Sequence, residues 1–118
     1  MKYLLLASLL AVSVVSVYGT TPEPRHAEVR LGTGVRMHYV EQGDPKGPTI
    51  ILLHGYSDSW VSYTRVLPLL DKKYHVYAPD LRGHGASDRP ASGYTFPDFA
   101  GDIIAFMDAK GIKKASIV

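Results

Sequence analysis

Between residues 80 and 90 the chain reads Asp80-Leu81-Arg82-Gly83-His84-Gly85-Ala86-Ser87-Asp88-Arg89-Pro90, a stretch rich in carboxylates and guanidiniums around one imidazole. An earlier stretch, His54-Gly55-Tyr56-Ser57-Asp58-Ser59-Trp60, adds a second imidazole and two serine hydroxyls. Such groups could perform acyl transfer: a serine attacks a carbonyl while an imidazole takes its proton and a carboxylate holds that imidazole in the right tautomer. Gly55 to Ser59 matches four of the five positions of a Gly-X-Ser-X-Gly nucleophile elbow, and Asp80 and His84 follow in the order serine, acid, histidine. Two features argue against Ser57 as the nucleophile. Ser59 replaces the glycine that lets strand and helix pack closely. Asp80 and His84 also share one short loop, from which the acid rarely reaches the far ring nitrogen while the near one faces the serine. Without an elbow, Asp80, Arg82, His84 and Asp88 read as charges that brace one another, with Gly83 and Gly85 bending the backbone to allow it. His54, Asp80 and His84 have neither a chelating i,i+4 pair nor a known ligand spacing, so no metal is expected.

Both stretches follow strand-like runs. Glu28–Leu31 and Val35–Tyr39 alternate polar and apolar residues around Gly32-Thr33-Gly34, the pattern of a hairpin at a sheet edge with one wet face. Asp44–Pro48 is a turn cluster. Thr49–Leu53 is a continuous apolar run, as in a strand covered on both faces, and Tyr74–Ala78 is the next strand. Between them Trp60, Tyr63, Leu67 and Leu70 recur at helical spacing, with Ser57, Asp58 or Ser59 as N-cap and Pro68 as a kink. Thr95 and Asp98 begin a second helix in a near capping box, Phe96 to Met107 carries its apolar stripe, and Gly111-Ile112 forms a Schellman stop. Ala115–Val118 begins a third strand of this kind. A hairpin followed by β-α-β-α-β predicts an α/β fold with a parallel sheet. In such sheets ligands bind beyond the carboxyl ends of the strands, where 54–59 and 80–88 both lie.

Composition narrows the classes. A chain of 118 residues, 46% hydrophobic and 20% charged, is one domain at most and carries an ordinary globular balance. The net charge of +2 comes from scattered lysines and arginines with no basic stripe, which argues against nucleic acid as a partner. The absence of cysteine removes disulfides, a thiolate nucleophile and a thiolate zinc site. Lys2, the apolar run Leu4–Val17 and the small residues Val17 and Gly19 read as a secretory signal over 1–19, which places the protein outside the cytoplasm, secreted or periplasmic. The run is shorter than the roughly 20 residues of a bilayer span, and an uncleaved anchor is the alternative. Residues 20–26, with Pro22 and Pro24, read as an extended leader, and 27–118 as the folded portion.

Leu52–Trp60, Asp80–Pro90 and Tyr94-Thr95 before a helix together resemble the α/β-hydrolase superfamily, closest to its serine-hydrolase branch of esterases, cofactor-free haloperoxidase-like enzymes and C–C bond hydrolases. The resemblance implies the N-terminal part of that fold, interrupted at the start of the nucleophile-bearing strand, and a small-molecule substrate without a cofactor. It implies that Tyr56 donates its backbone N–H to an oxyanion from a loop shaped by His54 and Gly55, where Gly55 leaves room for substrate to approach. Trp60 is a candidate pocket residue, though packing is the plainer reading. Nucleophile, acid and histidine are expected beyond Val118, so these residues alone are expected to be inactive. Ser57 departs from the His-Gly-X-Pro pattern of epoxide hydrolases and haloalkane dehalogenases, which stand as the alternative. A non-catalytic binding protein with a hydrolase-like half sheet is the rival from another class.

Overall fold

The computed structural model describes residues 23–118. The signal segment 1–19 and residues 20–22 of the leader lie outside the described residues. Five strands form one sheet: β1 (Arg25–Arg30), β2 (Arg36–Gly43), β3 (Thr49–Ile51), β4 (His75–Pro79) and β5 (Ser116–Ile117). Arg25 and His26, read from sequence as the end of the leader, are the first residues of β1. The spatial order is β1-β2-β4-β3-β5. β1 with β2 and β2 with β4 are antiparallel, whereas β3 pairs in parallel with β4 and with β5. The chain therefore steps from β3 to β4 on one side and returns past β3 to β5 on the other. The carboxyl end of β3 lies at that reversal, the place where open α/β sheets bind ligands.

The hairpin forms where the alternation and the Gly32-Thr33-Gly34 turn place it, but of its two strands only β1 is an edge. β2 lies between β1 and β4, and Met37, His38, Tyr39 and Val40 are buried on alternating sides. The one-wet-face pattern fits β1 and fails for β2, because both faces of the sheet are covered. On one face α1 (Phe96–Ala109) packs Ile103 and Phe106 onto Met37, Tyr39, Ile51 and Tyr77. Phe106 is fully buried and meets the rings of Tyr39 and Tyr77 edge-on, with centroids 5.2 and 5.4 Å away. Burial of such a side chain is worth roughly 1.5–3 kcal/mol, and edge-to-face pairs add about 0.5–1.5 kcal/mol. On the other face Val40, Leu52, Leu67, Val76 and Ala78 form a second cluster.

That second face is covered differently from the sequence expectation. Instead of one kinked α-helix over Trp60–Leu70, the chain makes two 3-10 helices, Trp60–Tyr63 and Leu67–Leu69. Pro68 lies in the first turn of the latter, where it has no N–H to lose. Ser59 is the N-cap of the former, accepting from Val61 N–H at 3.3 Å.

α1 follows its sequence signals at both ends. The Thr95 side chain and Asp98 form a reciprocal capping box, and the carboxyl of Asp98 lies below its ordinary value because the Thr95 hydroxyl and N–H donate to it. At the other end Gly111 N–H donates to Asp108 O at 3.1 Å and Ile112 N–H to Met107 O at 2.8 Å, the two bonds of a Schellman motif. Among the described residues no helix is long and apolar enough to cross a membrane.

Candidate functional site

The turn after β3 is held by side chains of its own and by the loop after β4. His54 is buried and uses both ring nitrogens on backbone: Nε2 accepts from Leu81 N–H at 3.0 Å, so Nδ1 carries the proton and donates to Gly55 O at 2.8 Å. With both nitrogens engaged it ties the two loops together and has no lone pair left for a general base. Tyr63 OH donates to Leu53 O at 2.7 Å, and Trp60 N–H donates to Asp80 Oδ1 at 2.8 Å. Asp58 accepts from the Ser62 hydroxyl and from Ser59 N–H, and these two bonds hold its carboxyl below the ordinary value.

Between these anchors the turn projects outward. Tyr56 is 96% exposed, and among the described residues no backbone acceptor pairs with its N–H. Ser57 has φ of 60°, the left-handed region that a non-glycine residue enters at a cost. Proline, locked near −65°, cannot take that conformation. A Cβ at Gly55 would meet nothing within 4 Å among the described residues, so its packing here does not demand glycine.

The loop after β4 is the reverse: Asp80, Arg82 and Asp88 bind other elements rather than one another, while Arg89 stays exposed and donates to Ser87 O and Gly85 O of its own loop. Asp80 accepts from Trp60 N–H, from Ala86 N–H at 3.0 Å and from His38 Nδ1 at 2.8 Å. Arg82 clamps Asp102 of α1 through Nε and Nη2, both at 2.6 Å, and donates Nη1 to Gly93 O. Asp102 also accepts from Thr33, and its carboxylate raises the Arg82 guanidinium above its ordinary value. Asp88 accepts from Arg36 N–H at 2.8 Å, which holds its carboxyl below the ordinary range. Gly83 and Gly85 both take positive φ, 77° and 49°, and a Cβ at Gly85 would lie 2.1 Å from Asp80 Oδ2. The mutual bracing expected from sequence is thus corrected: the partners are His38 and Arg36 on β2, Trp60 on the first 3-10 helix and Asp102 on α1.

This geometry dismantles the serine, acid, histidine arrangement within 54–88. Asp80 orients His38 and not His84, whose Nδ1 instead faces Arg82 O at 2.8 Å. His84 stands beside His54 and Tyr56, with ring centroids 5.0 and 6.3 Å away. It shares with Tyr56, Ser57, Arg89, Phe96 and Phe99 an open cavity of about 660 Å³. Trp60, the candidate pocket residue, does not line this cavity and borders a smaller one with Thr64, Leu67 and Pro68. Its indole packs against the second core cluster and edge-on to His26 at 4.9 Å. Among the described residues no group of three His, Asp or Glu side chains converges as a metal site.

Two participants escaped sequence reasoning. His38 sat in an alternating strand as one more polar position. Asp102 had a readable signal: a carboxylate beside Ile103 and between Phe99 and Phe106, on the buried stripe of an amphipathic helix.

Comparison with known proteins gives the same frame. The family model described as alpha/beta hydrolase fold matches residues 48–118. The chain is 39% identical over 85 residues to a 1H-3-hydroxy-4-oxoquinoline 2,4-dioxygenase of Pseudomonas putida, covering 72% of this chain and 32% of that protein. It is 38% identical over 85 residues to a soluble epoxide hydrolase of Corynebacterium sp. (strain C12), covering 72% and 29%. Among solved structures, the haloalkane dehalogenase DbeA from Bradyrhizobium elkani USDA94 superposes with a TM-score of 0.75 at 32% identity, covering 80% of this chain and 32% of that one. The chain thus spans less than a third of the length of these relatives.

Proposed function

The chain belongs to the α/β-hydrolase fold family, and from that premise we propose that it supplies the oxyanion-binding turn of an exported hydrolase that cleaves small esters through a serine. The observation carrying this reading is the His54–Tyr56 turn. Both ring nitrogens of His54 are spent on fixing the backbone, and Tyr56 at the carboxyl end of β3 is exposed, with no backbone acceptor paired to its N–H among the described residues. When a nucleophile adds to an ester carbonyl, negative charge builds on the carbonyl oxygen. A donor already in place stabilises that charge without reorganising, and its loss typically costs about 3–4 kcal/mol of the barrier. Tyr56 acts through its N–H and not through its phenol. The attacking serine, its acid and its histidine belong to residues following β5, and export rests on residues 1–19.

The left-handed Ser57 supports the serine branch over the His-Gly-X-Pro branch, because proline cannot occupy a φ of 60°. A second reading, epoxide opening, is favoured by the epoxide hydrolase and the haloalkane dehalogenase among the relatives. The test is the protein made from the longest reading frame that carries these residues, assayed on p-nitrophenyl acetate and on styrene oxide. Ester cleavage alone is the expected result. Diol formation from the epoxide without ester cleavage would replace the first reading by the second, and inertness towards both would overturn the two together.

A further inference from the structure

For Tyr56 N–H to meet an oxyanion, the turn that carries it must be fixed at both ends. His54 holds the near end. The far end hangs on the backbone N–H of Trp60, which donates to Asp80 Oδ1 at 2.8 Å. Asp80 is almost completely buried, and its Oδ2 faces His38 Nδ1 at 2.8 Å. The other ring nitrogen of His38, Nε2, lies 3.0 Å from Nδ1 of His26 on the neighbouring strand β1. The His26 ring in turn meets the Trp60 indole edge-on, with centroids 4.9 Å apart. The contacts close on the residue where they began: Trp60 backbone, Asp80, His38, His26, Trp60 indole.

With both imidazoles neutral and Asp80 ionised, the protons in this circuit have one consistent placement. An ionised carboxylate only accepts, so His38 carries its proton on Nδ1 and offers the lone pair of Nε2. His26 then donates from Nδ1. The other charged groups on that side of the hairpin are engaged elsewhere. Glu28, directly opposite His38 in the strand register, pairs with Arg36, and Arg36 also reaches Asp88 at 3.2 Å. No second carboxylate among them competes for the imidazole of His38.

We propose that His38, oriented by His26, is a positioning residue that acts through Asp80 on the Trp60 backbone N–H and so fixes the far end of the turn presenting Tyr56. Its catalytic consequence rests on the reading of Tyr56 as an oxyanion donor. The mechanical part stands apart from that reading: a buried carboxylate keeps its aim only while its third donor is in place.

Amide hydrogen exchange reads the mechanical part directly. Trp60 N–H reports the anchor, and Leu52 N–H, which donates to Tyr77 O at 2.8 Å inside the sheet, reports general stability. His38→Leu removes both ring nitrogens and is expected to speed Trp60 exchange about tenfold more than Leu52 exchange. His38→Asn keeps a donor near the Nδ1 position and is expected to recover most of the lost protection. His26→Ala, at an exposed edge position, gives a smaller acceleration in the same sense and carries the comparison should His38→Leu not fold. Equal acceleration at Trp60 and Leu52, or no recovery in His38→Asn, would overturn the inference. In the ester-cleaving protein the same His38→Leu change is expected to lower kcat about tenfold with KM within about threefold, the mark of an interaction made in the transition state. Exchange behaving as expected in a protein that cleaves no ester would remove the proposed function and leave the positioning intact.

Discussion

The two turns at the carboxyl ends of β3 and β4 lie at the same end of the sheet and are built on opposite plans. The turn after β4 carries most of the charge, and nearly all of it is consumed internally: Asp80 on Trp60, Ala86 and His38, Arg82 on Asp102, Asp88 on Arg36. The turn after β3 is poorer in charge, yet it leaves a tyrosine 96% exposed and a serine in the left-handed region. Charged residues crowded on one loop look like chemistry in a sequence. In the folded chain they are the frame, and the turn they frame is the part left exposed.

Mutations should separate the two plans, and the largest effect belongs to the frame. Asp102→Ala leaves Arg82 buried without its partner, and such a broken pair costs about 3–5 kcal/mol. Urea unfolding of the variant should lose stability on that scale. Gly85→Ala would drive a Cβ into the Asp80 carboxylate at a positive φ, and a loss of about 2–3 kcal/mol is expected. Gly55→Ala, in the other turn, meets nothing within 4 Å and should change unfolding by less than about 0.5 kcal/mol. Equal losses at the two glycines would erase the distinction between frame and surface. Thr95→Ala removes half of the α1 capping box and should cost about 1 kcal/mol in the same measurement.

The smallest effect is the acid dependence. Asp88 and Asp98 have carboxyls lower in the folded chain than in the unfolded one, the first through Arg36 N–H and the second through Thr95. Their stabilising contribution is therefore complete above the ordinary carboxylate range and disappears as pH falls through the depressed folded values. Asp88→Asn should flatten the acid limb of a stability-versus-pH curve and leave the neutral region almost unchanged in slope. A variant curve parallel to the parent's at low pH would contradict the assignment.

Much of this fold is legible in the sequence. The continuous apolar run of β3, the Thr95 cap with Asp98, and the Gly111-Ile112 stop each follow from local chemistry, and local chemistry decided them. The failures share another cause. Trp60–Leu70 has helical spacing, but the short span between β3 and β4 and Pro68 yield two 3-10 helices over the sheet. β2 alternates as though half wet, yet its place between two neighbours and two covered faces is tertiary information. The partners of Asp80 and Arg82 lie 42 and 20 residues away, at His38 and Asp102, and no loop-level pattern could pair them. His54 as a loop-shaping residue follows from the family resemblance. Its simultaneous grip on Gly55 and Leu81 does not.

The proposed role of Tyr56 is to donate its backbone N–H to the developing oxyanion, while Ser57 and the 80–88 loop take no covalent part. It is tested most directly by following the Tyr56 amide resonance in isotope-labelled protein from the longest reading frame as a fluorophosphonate forms its adduct. The account predicts a downfield shift at Tyr56 larger than at Gly55 or Ser57, with the phosphorus attached to a serine outside residues 54–88. Attachment at Ser57, or an adduct elsewhere that leaves the Tyr56 amide unmoved, would contradict it.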